Sequence, residues 1–160
     1  MDRRIAAPKG KDYVLDQLTA VRPHSEYALF ETKQKALMFA AALAYGMGKR
    51  IGDSSRDAGT AIRFDIFEKA NDDGFVSALA VAEAGDLKVL SEAREEEAIK
   101  IFEEFAAAGL EELERRCFTQ ASADPLDVLV ELVNVARRAH EGTGVTLPGM
   151  DSEILKDMLG

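Results

Sequence analysis

Pairs of carboxylates are the residues best suited to chemistry in this chain of 160 amino acids. Asp65 lies three positions before Glu68, and Asp72 directly precedes Asp73. Two carboxylates at such spacing can hold a divalent metal or exchange protons with a substrate. Helix capping and solvation account for acidic pairs far more often, and the chain has too few histidines and cysteines for a zinc cluster. We therefore predict no metal site and no catalytic residue, and a metal-dependent hydrolase is the weakest of three functional hypotheses.

The single thiol and the histidines are no better as catalytic candidates. Cys117 follows Arg115 and Arg116, whose charges would lower the pKa of a thiol. The thiol falls near the end of an amphipathic helical pattern, however, where a partly buried and inert state is expected. His24 lies beside Pro23 in a predicted loop, with no residue close in sequence to act as its partner.

Sequence motifs for nucleotide cofactors and hydrolytic sites are missing. The chain has no Walker-type phosphate loop, no nucleophile elbow and no HExxH pair. Gly46 and Gly48 lack the third glycine of a dinucleotide fingerprint, and they follow a predicted helix where that fingerprint needs a strand. We predict that the protein uses no cofactor.

Charge is divided unevenly along the chain, and the basic part is the candidate DNA surface. Residues 1–63 carry 11 Lys and Arg against 7 Asp and Glu, a net charge of +4, whereas residues 64–160 carry 9 against 22, a net charge of −13. The acidic part would repel phosphates and the basic part could meet them. An extended arm, a first helix and a long second helix also follow the order of ribbon-helix-helix modules, although the connection between the two helices is long for one. The DNA-contact candidates are Arg3, Arg4, Lys9, Lys11, Lys33, Lys35, Lys49 and Arg50. The Glu-rich runs of the acidic part are interpreted as solvated helix faces.

Composition predicts a soluble protein with a single main core. Hydrophobic residues make up 47% and charged residues 31%, which is ordinary for a globular domain. The first residues lack the apolar segment of a signal peptide, and a lone cysteine fits a reducing compartment. We expect a cytoplasmic location and no membrane partner.

The stretch from Phe30 to Arg50, FETKQKALMFAAALAYGMGKR, predicts a helix in the centre of the domain. Thr32 is a favourable N-cap, because its hydroxyl can accept from a backbone N–H of the first turn. Every residue of the range Ala36–Met47 except Gly46 is apolar or aromatic, so the helix is apolar nearly all round. It is too short to span a bilayer.

The remaining pattern is helical almost throughout, so the predicted fold is all-α. Helical spacing and end signals predict further helices over residues 11–20, 75–83, 91–118 and 124–142. Gly109 is expected to break or kink the third of these. Residues 61–67 fit either a strand or a helix, and Pro8 favours extended backbone before it. A short extended arm or a minor β pairing is therefore expected at residues 3–7 and 61–67.

Residues 1–142 are predicted to form a single helical domain, and residues 143–160 a C-terminal tail. Asp151 can cap a short final helix in that tail. Its apolar stripe is a candidate docking surface formed by Ile154, Leu155, Met158 and Leu159. A helix of about nine residues is not stable alone in water, so it must dock either on its own domain or on a partner or a second copy.

Four blocks of sequence carry a resemblance to a known family. They are FETKQKALMFAAALAYGMGKR, AIRFDIF, GDLKVLSEAREEEAIKIFEEFAAAGLEEL and DPLDVLVELV, in this order. From about Ile5 to Leu132 the chain resembles a family of small proteins encoded with DNA phosphorothioation systems, the Dnd system-associated protein four family. The resemblance rests on the combination of the blocks, since none of them is diagnostic of catalysis. Thr143 to Gly160 match nothing in the family.

The resemblance implies a place in a bacterial restriction-modification and antiphage defence system. Dnd systems replace a non-bridging phosphate oxygen of DNA with sulfur, and partner restriction proteins attack DNA that lacks the mark. The expected function is a non-catalytic accessory protein that binds protein subunits of such a restriction or modification complex. The alternative is a DNA-binding subunit that uses the basic N-terminal surface, and homo-oligomers are compatible with both.

Overall fold

The computed structural model describes residues 3–52, 55–119 and 124–143. The chain forms two compact units, Met1–Pro125 and Leu126–Gly160. In chain order the elements are β1 (Arg4–Ile5), α1 (Asp12–Thr19), α2 (Lys33–Gly46), β2 (Ile62–Arg63), α3 (Phe64–Lys69), α4 (Asp73–Ala84), α5 (Glu95–Cys117) and α6 (Pro125–Thr143), with short 3-10 turns at Ala58–Thr60, Leu87–Leu90 and Glu92–Arg94. The prediction of a mainly helical fold is confirmed. The division predicted at residue 142 stays a prediction.

The minor β pairing is present as predicted. β1 and β2 form an antiparallel pair in which Arg4 lies opposite Arg63 and Ile5 opposite Ile62. The ambiguous stretch 61–67 contains both of the structures that its pattern allowed, because β2 is followed directly by α3. Ile5 is fully buried, so this pairing fixes the N-terminal arm to the core.

The central helix of the first unit is α5, which corrects the prediction for α2. Residues 101–110 of α5, IFEEFAAAGL, are all buried. Phe102 of this segment makes edge contacts with Phe67 and Phe75, with ring centres 6.0 and 6.2 Å apart. In α2, by contrast, Phe39 and Leu43 are only half-buried. An alanine-rich helix gains little free energy from burying its second face, so α2 packs one face on α5 and leaves the other near solvent.

Local sequence accounts for some helix ends and not for others. Thr32 caps α2 as predicted, its hydroxyl accepting from the Lys35 N–H at 3.2 Å. Gly85 ends α4 in the left-handed conformation, with φ of 67°. Asp72 stands at the start of α4 but makes no capping bond. Its carboxylate accepts instead from the side-chain amide of Gln34 at 2.7 Å, because tertiary packing brings that buried amide close.

Gly109 does not break α5, which also differs from the prediction. The helix runs without interruption from Glu95 to Cys117. A Cβ atom placed on Gly109 would lie 1.8 Å from the carbonyl oxygen of Ala40 in α2. The absence of a side chain at Gly109 therefore lets the backbones of α2 and α5 cross closely. A residue with a Cβ could not pack here, and this packing offsets the cost of a glycine inside the helix.

Candidate functional site

The cations predicted to contact DNA lie in separate parts of the first unit. Lys33 and Lys35 occupy the first turn of α2, while Lys49 and Arg50 follow its other end. At a rise of 1.5 Å per residue the helix separates these two pairs by about 20 Å. The other four candidates lie along β1 and the turn before α1.

The lysines at the start of α2 are paired with carboxylates. Lys33 Nζ lies 2.8 Å from a carboxylate oxygen of Asp12 and 2.8 Å from one of Asp16, both on α1. The hydrogen bond to Asp12 is the largest of the influences that raise the pKa of Lys33. Lys35 pairs with Glu31 at 2.6 Å, one turn earlier in the chain. At this end of α2 two lysines therefore face three carboxylates.

The cations beyond the other end of α2 meet acidic residues of α4 and α5. Arg50 contacts Glu104 of α5 and lies 2.7 Å from a carboxylate oxygen of Glu83. Lys49 Nζ lies 3.5 Å from Glu112. Glu104 and Glu112 are buried, which corrects the interpretation of the Glu-rich run as a solvated face. These carboxylates are buried beside cations that compensate their charge.

Among the described carboxylates, Glu112 has the pKa that its surroundings shift most. Arg115 donates to it at 2.6 Å, and Arg116 also donates to it. The hydrogen bond from Arg115 is the largest of the influences that lower the pKa of Glu112 to about 2. This carboxylate is ionised at any physiological pH, so it acts as a permanent counterion and not as a proton donor.

The N-terminal arm carries the same kind of pairing. Arg3 contacts Glu95 at the start of α5 and lies 3.0 Å from Glu68. Lys11 contacts Glu114 near the end of α5. With these two, at least six of the eight DNA-contact candidates have a carboxylate partner, and a DNA phosphate would have to displace it. Arg4 and Lys9 complete the set and are exposed.

A cleft of about 880 Å³ beside β1 contains a buried carboxylate, Glu103. Glu103 accepts from the backbone N–H of Ala6 at 2.7 Å and from Arg56 Nη2 at 2.7 Å. Arg56 Nη2 also donates to the backbone oxygen of Arg4 at 2.9 Å. Burial raises the pKa of Glu103, although the bonds from Ala6 and Arg56 oppose it. Glu103 and Arg56 thus supply hydrogen-bond partners to backbone groups on the edge of β1 that faces away from β2.

The remaining candidates for chemistry are held in structural roles. Burial raises the pKa of Cys117 to about 11, so its thiol is protonated and unreactive at neutral pH. Asp65 pairs with Arg63 at 2.8 Å and with Lys69 at 3.0 Å. No group of three metal-binding side chains comes together within residues 3–52, 55–119 and 124–143.

The ion pairs that join α5 to the N-terminal arm, to the residues after α2 and to Arg56 form a charge network. Four of its residues were missed by the sequence patterns. Arg56 was not among the candidate residues, and the Glu-rich runs that contain Glu103, Glu104 and Glu112 were assigned to solvent. A signal was available, since Glu103 and Glu104 interrupt a run that is otherwise apolar on every side of the helix. Polar residues within such a run need buried partners.

Large apolar side chains are exposed away from the charge network. Val21 and Tyr27, in the loop between α1 and α2, are 65% and 74% exposed, and Leu87, in the turn after α4, is 72% exposed. The tail stripe Ile154, Leu155, Met158 and Leu159 lies outside the described residues. Within the described ranges no helix is both long and apolar enough to cross a membrane.

Comparison with known proteins places the chain in one family. The family model described as DNA sulphur modification system-associated protein 4 matches residues 4–147, nearly the whole chain. The match extends beyond Leu132 and includes residues 143–147, so the prediction that Thr143 to Gly160 match nothing in the family is wrong for these five residues. The family name links the protein to a DNA sulphur modification system and points to partners within that system. No curated protein and no solved structure matches the chain.

Proposed function

Because the chain belongs to this family, we propose that the protein is a non-catalytic accessory subunit of the restriction or modification machinery of a DNA sulphur modification system. In this role it acts through protein–protein contacts in an antiphage defence complex. The observation that carries the proposal is the exposure of large apolar side chains, above all Val21 and Tyr27 in the loop between α1 and α2. Exposed apolar residues are the groups that gain free energy when a partner protein covers them.

The distribution of charge supports the same proposal. DNA binding draws its affinity from cations that replace the counterions of phosphates. In this protein Lys33 and Arg50, on opposite ends of α2, already have carboxylate partners at close range. Moving such a cation to a phosphate would leave a carboxylate unpaired, and this cost reduces the gain from DNA.

Co-purification with defined subunits tests the proposal. The tagged full-length chain would be co-expressed separately with each protein subunit encoded by the same sulphur modification locus. We expect stable retention of at least one of them after nuclease treatment and at high salt, because apolar contacts persist where phosphate contacts are screened. Retention of none of these subunits would contradict the proposal.

Direct DNA binding is the second candidate, and the exposed Lys9 favours it. We expect the isolated protein to bind duplex or nicked DNA weakly or not at all, measured by fluorescence anisotropy across a salt series. If binding occurs, reversing Lys33 and Lys35 to Glu should weaken it evenly across sequences and flatten its salt dependence. The matched control reverses Arg137 and Arg138 of α6, which changes net charge equally. Unchanged affinity and salt dependence in the first variant would remove the α2 lysines from the DNA surface.

A further inference from the structure

A small apolar pocket lies in the first unit, beside the end of α1 and the loop that follows it. Its volume is about 460 Å³. The lining comes from the end of α1, the following loop and the chain on either side of residues 120–123, and it consists of Gln17, Ala20, Val21, Arg22, Pro23, Leu29, Phe118, Asp124 and Pro125. Val21 contributes a side chain that is 65% exposed. The pocket is therefore open and mostly apolar.

The loop that forms this pocket is held in place by backbone contacts. Val21 and Ala28 form an antiparallel bridge across the loop. The backbone N–H of Phe30 donates to the carbonyl oxygen of Leu18 at 3.0 Å, which fixes the end of the loop to α1. A pocket held in this way costs little ordering entropy when a ligand enters.

Arg22 gives the pocket one hydrogen-bond donor that has no acceptor in the part of the chain that the structure describes. Its Nη1 lies 3.2 Å from a carboxylate oxygen of Asp124, which balances the charge of the guanidinium. Its Nε is buried and has no hydrogen-bond partner among the described residues. A buried donor without an acceptor is costly, and native structures usually supply one. Because the charge is already balanced, a neutral acceptor suits this donor better than a second carboxylate.

We propose that this pocket is the docking site for a partner protein of the complex, which inserts an apolar side chain and presents a backbone carbonyl to Arg22 Nε. The inference rests on the proposed accessory function and adds the location and chemistry of the contact. The apolar lining around Val21 and Phe118 accepts the side chain, and the orphaned N–H of Arg22 accounts for the carbonyl. An apolar residue within an extended or loop segment of the partner offers both groups together.

Two substitutions of exposed apolar residues test the location. Val21→Asp places a charge at the pocket, and Leu87→Asp places the same charge on an apolar residue of the turn after α4. Neither side chain belongs to the buried core, so both variants should keep the melting temperature of the wild type. Against a subunit that the wild-type protein retains, we expect Val21→Asp to lose roughly tenfold or more in affinity and Leu87→Asp to stay within about twofold. Equal affinities of the two variants would overturn the assignment of this pocket.

A third variant tests the chemistry at Arg22. Arg22→Lys keeps a positive charge beside Asp124 but removes the Nε donor. We expect weaker partner binding without a fall in melting temperature, because the free protein loses an unsatisfied group. A lower melting temperature with unchanged affinity would show a purely structural role for Arg22 and would overturn the proposed contact.

The experiment also separates this inference from the function on which it rests. If the wild-type protein retains a subunit and Val21→Asp retains it equally well, the pocket is not the docking site, while the accessory function stands. If the wild-type protein retains no subunit, both proposals fail. A photo-reactive amino acid at position 21 should cross-link to the retained subunit, and the same amino acid at position 87 should not.

Discussion

The close crossing of α2 and α5 at Gly109 makes a sharp prediction about stability. A Cβ on Gly109 would meet the backbone of Ala40, with its oxygen 1.8 Å away and its carbonyl carbon 2.3 Å away. Contacts of a Cβ under 3.0 Å are essentially never seen, so in the Gly109→Ala variant the new Cβ and the Ala40 oxygen must shift relative to each other by at least 1.2 Å, the difference between 3.0 and 1.8 Å. The obstacle is backbone, which cannot rotate away as a flexible side chain would.

The size of the effect follows from two opposing contributions. Alanine is favoured over glycine inside a helix by about 1 kcal/mol. Overpacking in a core costs about 1–3 kcal/mol, and more where the backbone has to shift. A shift of this size also weakens dispersion contacts at the α2–α5 interface. We expect Gly109→Ala to lower the free energy of unfolding by about 2 kcal/mol or more, equivalent to a fall in melting temperature of roughly 4–8 °C in a protein of this size.

Thermal and chemical denaturation of Gly109→Ala beside Gly74→Ala would measure this effect. Gly74 lies in α4, and a Cβ there has no atom within 4 Å, so the same substitution brings only the gain in helix propensity. We expect Gly74→Ala to be as stable as the wild type or slightly more stable. If Gly109→Ala behaved like Gly74→Ala, the backbone crossing at Ala40 would be refuted.

Three further predictions concern charge, burial and the tail. The pKa of Glu112 is lowered to about 2, so the stability that its ionised form contributes is complete above its ordinary pKa and is lost as the pH falls toward 2. Urea titrations should therefore show the difference in stability between the wild type and Glu112→Gln closing from about pH 5 to about pH 2.5. Ala40→Asp should cost several kcal/mol because it buries a charge without a partner, whereas Phe39→Asp at a half-buried position should cost clearly less; equal melting temperatures for the two would contradict the orientation of α2. If the tail docks on a partner, deletion of Met150–Gly160 should leave the melting temperature unchanged and abolish binding of a subunit or a second copy. Unfolding of the truncated chain, or its normal assembly, would refute that docking.

Local signals in the sequence account for most of the helices and for some of their ends. The hydroxyl of Thr32 and the missing Cβ of Gly85 act on backbone groups within a few residues of themselves, so their effects can be predicted without knowledge of the fold. The extended arm and the mixed strand-and-helix character of residues 61–67 were open to prediction for the same reason. The family was also available from the order of its sequence blocks.

Short-range preferences and residue order were therefore enough to predict the all-α class, the position of most helices and the family. The tertiary structure alone decided that α5 lies at the centre, that Gly109 serves a close approach to Ala40, and that Glu103 is buried beside Arg56. Each of these depends on residues far apart in the chain, 69 positions apart for Gly109 and Ala40 and 47 for Glu103 and Arg56. Hydrophobic spacing shows which face of a helix can be buried, but only packing shows which neighbour supplies the counterion or the space.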